Sequence, residues 1–234
     1  MHLNNDTYIT TDLDTLPATS SWTKYRKVFK VPANALTLSI FHRLTSVGTL
    51  SLDNTLLERV QVYVDPTMVR AMQAGGHEIA SHTQHHPSLL AVSSSTMLSE
   101  ISNSKADLLG IGVRRVQSFI YPYGDYNAGV ELAVKNAGYL GARSVVRGYN
   151  TKTTDRYALK IEQVGVSDTP AQIESYIDTA VAERTWLILM YHQIGYGGEE
   201  FSATPETLRA NATYLAAHNV PVVTMAEGLG MMNP

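Results

Sequence analysis

Three times in this chain a short oxygen-bearing side chain stands directly before a proline and an amphipathic stretch: Asp65-Pro66, Thr169-Pro170 and Thr204-Pro205. Such a side chain caps the free amides of a helix's first turn, and a proline at the next position has no amide to lose. After Asp65-Pro66, the stripe Met68, Val69 and Met72 runs to Gly75. "TPAQIESYIDTAVAER" puts Ile173, Tyr176, Ile177, Ala180 and Val181 on one helical face, and "TPETLRANATYLAAHN" repeats the pattern with Leu208, Ala212 and Leu215. Two further helices are predicted. "SSSTMLSEISNSKADLLG" opens on serine caps, carries Leu98, Ile101, Lys105 and Leu108, and closes on Gly110. The other is capped by Asn127, carries Val130 and Val134, and ends near Gly138. Between the helices lie the short apolar runs "QSFIY", "YLGARSV", "WLILMY" and "VPVVTM"; "HEIAS" is strand-like too, and a strand "QVYV" precedes the first helix. Helices alternating with short apolar strands give a parallel sheet covered by helices, an open α/β sheet or a barrel.

Residues 1–60 read differently. "WTKYRKVFKV" (22–31) and "LTLSIF" (36–41) alternate apolar and polar residues as half-buried strands do. The expected organisation is therefore an all-β segment over 1–60, read below as β-sandwich-like from its resemblance, and an α/β domain over 61–234.

Parallel α/β folds carry their chemistry at the carboxyl ends of the strands. Three polar loops meet that condition. "HTQHHP" (82–87) follows "HEIAS", "YPYGDYN" (121–127) follows "QSFI", and "YHQIG" (191–195) follows "WLIL". His82 and His86 stand four residues apart, a spacing that brings both imidazoles to one face of a helical turn and suits a metal. The chain has no cysteine, so a metal must be held by histidine and carboxylate. A formal net charge of −3 argues against a nucleic-acid surface, and no apolar run reaches membrane-spanning length. No leader-like run is seen either.

"GGHEIASHTQHHPSL", "SFIYPYGDYN" and "WLILMYHQ", in this order, resemble the polysaccharide deacetylases of carbohydrate esterase family 4, the NodB-homology enzymes, over roughly residues 61–230. The resemblance implies a distorted (β/α) barrel and a divalent metal, most often Zn2+. It implies a hydrolase that removes acetyl groups from a glycan containing N-acetylglucosamine or from acetylxylan, with a secreted or cell-surface location of bacterial type. By position His82 and His86 become metal ligands and Thr83 braces their loop, leaving His85 as a spare, solvent-facing histidine. The Tyr123 amide becomes an oxyanion donor, and His192 the acid that protonates the leaving amine. "FHRLTSVGTLSLDNTLLERV" resembles the end of a β-sandwich module that precedes such domains.

Two departures matter. Family members carry an Asp-Asp motif on the first barrel strand, supplying the base and a third metal ligand. The nearest string here is "LSLDNT" (50–55), with Asp53 and Asn54. Between Asp53 and His82 there is too little chain for the expected two helices and two strands, so a first βα unit is expected to be missing. A sheet edge open beside "QVYV" would seek a partner, either the N-terminal strands or a second copy of the chain. Many members also have an arginine two residues before the Pro-Tyr-Gly proline, where this chain has Ile120. Arg143, at a neighbouring strand end, is the candidate substitute and equally reads as a surface arginine. Against the deacetylase stands a second expectation: a catalytically impaired relative that only binds glycan or metal.

Overall fold

The computed structural model describes residues 64–194 and 201–232, together with His2–Leu3, Ser21 and Ala35–Thr37. The chain divides into two units, Met1–Tyr63 and Val64–Pro234. In the first, β1 (His2–Leu3) pairs antiparallel with β2 (Ala35–Thr37). The strand expected over 22–31, most of that over 36–41, Asp53 and Asn54, and "QVYV" up to Tyr63 lie outside the described residues.

The second unit is built on parallel strands. They are β3 (Ser118–Ile120), β4 (Gly141–Arg147), β5 (Leu159–Val164) and β6 (Leu189–Tyr191), hydrogen-bonded in that order. Register pairs Ile120 with Arg143, Arg143 with Leu159, and Val164 with Tyr191. On the other side of β3, Ser81 forms a single parallel bridge to Phe119. There the Ser81 amide donates to the Ser118 carbonyl and the Ile120 amide to the Ser81 carbonyl. The run "HEIAS" therefore supplies one bridge rather than a strand. After His192, β7 (Gln193–Ile194) pairs parallel with β8 (Ser202–Ala203).

Helices form where their caps predict them. α1 (Pro66–Ala74) is capped by Asp65, whose Oδ1 accepts the Thr67 and Met68 amides. α2 (Ser94–Gly110) is capped by Ser93 and α3 (Ala128–Asn136) by Asn127. Thr169 caps α4 (Pro170–Glu183) and Thr204 caps α5 (Pro205–Ala217). Among the described residues no helix is long and apolar enough to cross a membrane.

The faces are less faithful to the periodicity than the ends. α4 buries Ile173, Ile177 and Ala180 as expected, but Val181 is exposed. α1 buries no residue: Met68 and Met72 face outward, and Val69 alone of its stripe packs on the core. α5 turns Asn211 inward and Ala212 outward, because Asn211 bonds the Tyr191 hydroxyl on β6. "VPVVTM" forms no strand. Pro221 has no amide for a ladder, Val222 is 76% exposed, and Met225 already opens α6 (Met225–Met232).

Apolar residues gather in three clusters. Ile101 of α2 and Val130 and Val134 of α3 pack with Phe119, Tyr121, Tyr139 and Ala142. Ile173 and Ile177 of α4 pack with Val164 and Ala203. α6 closes a third cluster, Leu229 and Met232 against Leu159. It approaches so near that a Cβ on Gly228 would collide with the Trp186 ring.

Candidate active site

The parallel strands bring three loops to one edge. His82 follows the Ser81 bridge, Tyr123 follows β3, and His192 follows β6. Arg143 lies within β4, directly opposite Ile120.

His82 and His86 meet, but not through a helical turn. Residues 82–88 form no helix, and both Thr83 (φ 65°) and His86 (φ 59°) are left-handed. That conformation costs an L-residue about 1–2 kcal/mol, so the surrounding bonds must hold it. The Thr83 hydroxyl accepts the His86 amide at 3.0 Å, which is the bracing expected of Thr83. The result places His82 Nε2 and His86 Nε2 3.1 Å apart.

The protonation of the pair follows from its neighbours. His82 Nδ1 donates to the Ile120 carbonyl at 2.9 Å, so the lone pair of His82 sits on Nε2. His86 Nε2–H can donate to it. A cation can take the place of that proton, because two metal–nitrogen bonds of about 2.0–2.1 Å in tetrahedral array set the nitrogens about 3.3–3.4 Å apart. The two imidazoles thus fit half of a metal site. Among the described residues no group of three His, Cys, Asp or Glu side chains could complete it.

Burial pushes the His82 imidazole below its ordinary pKa. The Ile120 carbonyl opposes this, and the charges of His86, Arg143 and His192 add to it. The effect keeps His82 neutral and able to ligate. It also puts Arg143 and His192 within electrostatic reach of His82. Burial likewise brings the Arg143 guanidinium down to about 10. Arg143 is half-buried beside the site, not a surface arginine, and its strand continues to Arg147 rather than ending with it.

Tyr123 lies in the turn Pro122–Gly124, left-handed at φ 58°. Its ring packs edge-on against His86, with centroids 4.8 Å apart, and the residue is 63% exposed. Gly124 follows at φ 77°, where a Cβ would collide with the Val145 side chain, so this turn favours glycine there. His192 has Phe201 as an aromatic neighbour, edge-on at 6.2 Å.

The histidine loop is held by residues that sequence reasoning missed. Glu100, buried on α2, accepts the Gln84 and His85 amides at 2.8 Å each through Oε2. Its Oε1 lies 2.8 Å from His85 Nδ1. The His85 side chain is thus 72% exposed, as expected, yet it is paired rather than spare. Ser88 donates to Asp125 Oδ2 at 2.7 Å, tying the histidine loop to the Pro-Tyr-Gly turn. A signal for Glu100 existed: Glu100, Asn103, Ser104 and Asp107 recur at helical spacing, a polar stripe beside the one that carries Ile101.

Residues 41–142 match the family model described as polysaccharide deacetylase. The match begins within the segment assigned above to a β-sandwich and takes in "LSLDNT". No curated protein matches the chain. Among solved structures, a provisionally assigned polysaccharide deacetylase from Mycobacterium smegmatis is similar at 15% identity and a TM-score of 0.51, over 71% of this chain and 66% of that one. A Streptococcus pyogenes deacetylase solved with acetate gives 18% identity and a TM-score of 0.46, over 48% of this chain and 50% of that one. A polysaccharide deacetylase from Bacillus cereus gives 23% and 0.46, over 50% and 38%. The chain thus spans half or less of the length of the streptococcal and B. cereus structures. The mycobacterial comparison shows the fold: an α/β unit with a curled parallel sheet.

Proposed function

We propose that this chain is a metal-dependent deacetylase acting on an acetylated glycan, N-acetylglucosamine-containing or acetylxylan, at the cell surface or outside the cell. One observation carries the proposal: His82 Nε2 and His86 Nε2 converge at 3.1 Å on the carboxyl edge of the sheet, with His192 and Arg143 acting electrostatically on the same imidazole. The match of residues 41–142 to the polysaccharide deacetylase model supports the reaction class.

In this reading His82 and His86 hold the cation, most simply Zn2+, which when bound polarises an acetyl carbonyl and activates water. The remaining roles belong to the chain's own groups. The Tyr123 amide, presented by its left-handed turn, donates to the oxygen on which negative charge develops. His192 protonates the leaving amine or alcohol. Arg143, half-buried beside His82, orients the carboxylate that serves as base. Asp53 lies outside the described residues; whether it is that carboxylate or only ends a β-strand is the question the Asp53→Ala variant below answers.

Metal analysis of the purified protein should find one equivalent of a divalent ion, lost when both His82→Ala and His86→Ala are introduced. His192→Ala should keep the metal and lower acetate release from acetylated chito-oligosaccharide or acetylxylan by about a hundredfold to ten-thousandfold. Equal metal content in wild type and double variant would sink the assignment.

One observation favours a second reading, an impaired relative that only binds glycan or metal: no three-residue ligand cluster occurs among the described residues. Asp53→Ala separates the two. Loss of metal or turnover makes Asp53 part of the site. An unchanged variant, with wild type that binds glycan but releases no acetate, establishes the binding-only protein.

A further inference from the structure

The histidine loop owes its shape to a helix that contributes no ligand. Four polar residues of α2, at positions 100, 103, 104 and 107, lie along one stripe of the helix, and all four reach the segment 81–85. Glu100 accepts the Gln84 and His85 amides, each at 2.8 Å. Asn103 Nδ2 approaches Gln84 Oε1 at 3.4 Å, and Gln84 Nε2 donates to Asp107 Oδ2 at 2.8 Å. The Ser104 and Ser81 hydroxyls are bonded at 2.7 Å within the core. Helices normally bury apolar stripes against a sheet. Here Glu100 and Ser104 are buried instead, beside Ile101.

Within this stripe Glu100 has a distinct position. Its two amide bonds fall on Gln84 and His85, the residues between the left-handed Thr83 and the left-handed His86. Two consecutive amides pointing at one carboxylate oxygen define the direction of the chain between the two histidines. Without that acceptor, both amides would turn toward water, and the backbone reversal that returns His86 to His82 would keep the Thr83 hydroxyl's bond to the His86 amide but lose the two bonds that set its direction. The bonds are charge-assisted and short, hence directional.

From this geometry we infer that Glu100 is a positioning residue for the cation site: it fixes the 83–86 backbone so that His82 Nε2 and His86 Nε2 meet. The inference rests on the reading of those two histidines as metal ligands. It differs from a general stabilising role because the bonds that matter are those to the Gln84 and His85 amides. The contact with the exposed His85 ring is secondary.

The test titrates Zn2+ by calorimetry and Co2+ by its visible absorption, which reports ligand geometry, into the full chain and four variants. Glu100→Ala should weaken binding by about ten- to a hundredfold, the range typical of groups that orient metal ligands, and change the Co2+ spectrum. Glu100→Gln, which keeps one oxygen for the two amides, should fall between Glu100→Ala and wild type. It carries the test if Glu100→Ala does not fold. His85→Ala, which leaves both amides in place, should bind as wild type does. The His82→Ala, His86→Ala double variant should not bind. If wild type binds no cation, the metal reading itself fails and this inference with it. If wild type binds and the Glu100 variants match it in affinity and spectrum, only the positioning role is overturned. A loss in His85→Ala as large as in Glu100→Ala also overturns it, because the ring contact would then be the support.

Discussion

Helices α2 and α4 cover the same parallel sheet and serve it differently. α4 turns Ile173, Ile177 and Ala180 inward, where they pack with Val164 of β5 and Ala203 of β8. α2 buries Ile101 against Phe119, but also Glu100 and Ser104. The apolar face of α4 does what burial alone can do: it removes surface from water without direction. The polar residues of α2 form bonds with defined angles to a loop whose backbone is strained. Where a fold needs only cohesion, apolar periodicity suffices. Where it must aim two imidazoles at one point, it spends buried positions on oxygen and nitrogen.

That contrast can be broken from the α4 side. Ile177 is 2% exposed, so Ile177→Ala should lower stability by about 2–5 kcal/mol, the usual effect of emptying a core position. Urea unfolding measures it. Zn2+ affinity of the folded variant should stay at the wild-type level. A matching loss of affinity would mean that α4 also shapes the site, and the division of labour would be wrong.

From the α2 side the effect is smaller and depends on pH. Burial alone would raise the Glu100 carboxyl. Bonds from the His85 amide, the His85 ring and the Gln84 amide outweigh it and hold the group below its ordinary 4.5. A carboxyl depressed in the folded state stabilises the protein above its unfolded value, and that contribution is lost as pH falls through the folded value. Glu100→Gln should therefore cost about 1–2 kcal/mol near neutral pH, the difference between charged and neutral hydrogen bonds. The gap should close below the carboxylate range. Paired urea unfolding curves, one near neutrality and one well below pH 4.5, check it. A gap independent of pH would mean that the bonds do not need the charge.

The same contrast explains what could be read from the chain before its structure. Helix starts were legible because a cap acts over two or three residues, as the Asp65, Asn127, Thr169 and Thr204 bonds show. The three loops were legible because parallel strands deliver their carboxyl ends to one edge. The path between His82 and His86 was not. Their spacing suggests a helical turn, and the observed loop depends on Glu100, fifteen and sixteen residues away from the amides it holds. Faces failed for a related reason. Asn211 points inward because Tyr191 offers a partner, a fact about β6 that the sequence of α5 does not contain.

Leu98 gives the smallest effect and the finest test of that last point. Periodicity places it with Ile101, Lys105 and Leu108 on one stripe of α2. In the structure Ile101 is buried while Leu98 is 52% exposed. The two lie three residues apart, so the helix need rotate only modestly to exchange their environments, and the polar bonds from positions 100, 103, 104 and 107 fix that rotation. Leucine and glutamine have similar helix propensity, so Leu98→Gln isolates burial from helix formation. With the observed rotation the substitution should change stability by no more than about 0.5 kcal/mol. Were the apolar stripe the better guide, losing a buried leucine side chain would cost about 1.5–3 kcal/mol. The unfolding midpoint in urea separates the two, and with them whether polar bonds or apolar periodicity sets how α2 lies on the sheet.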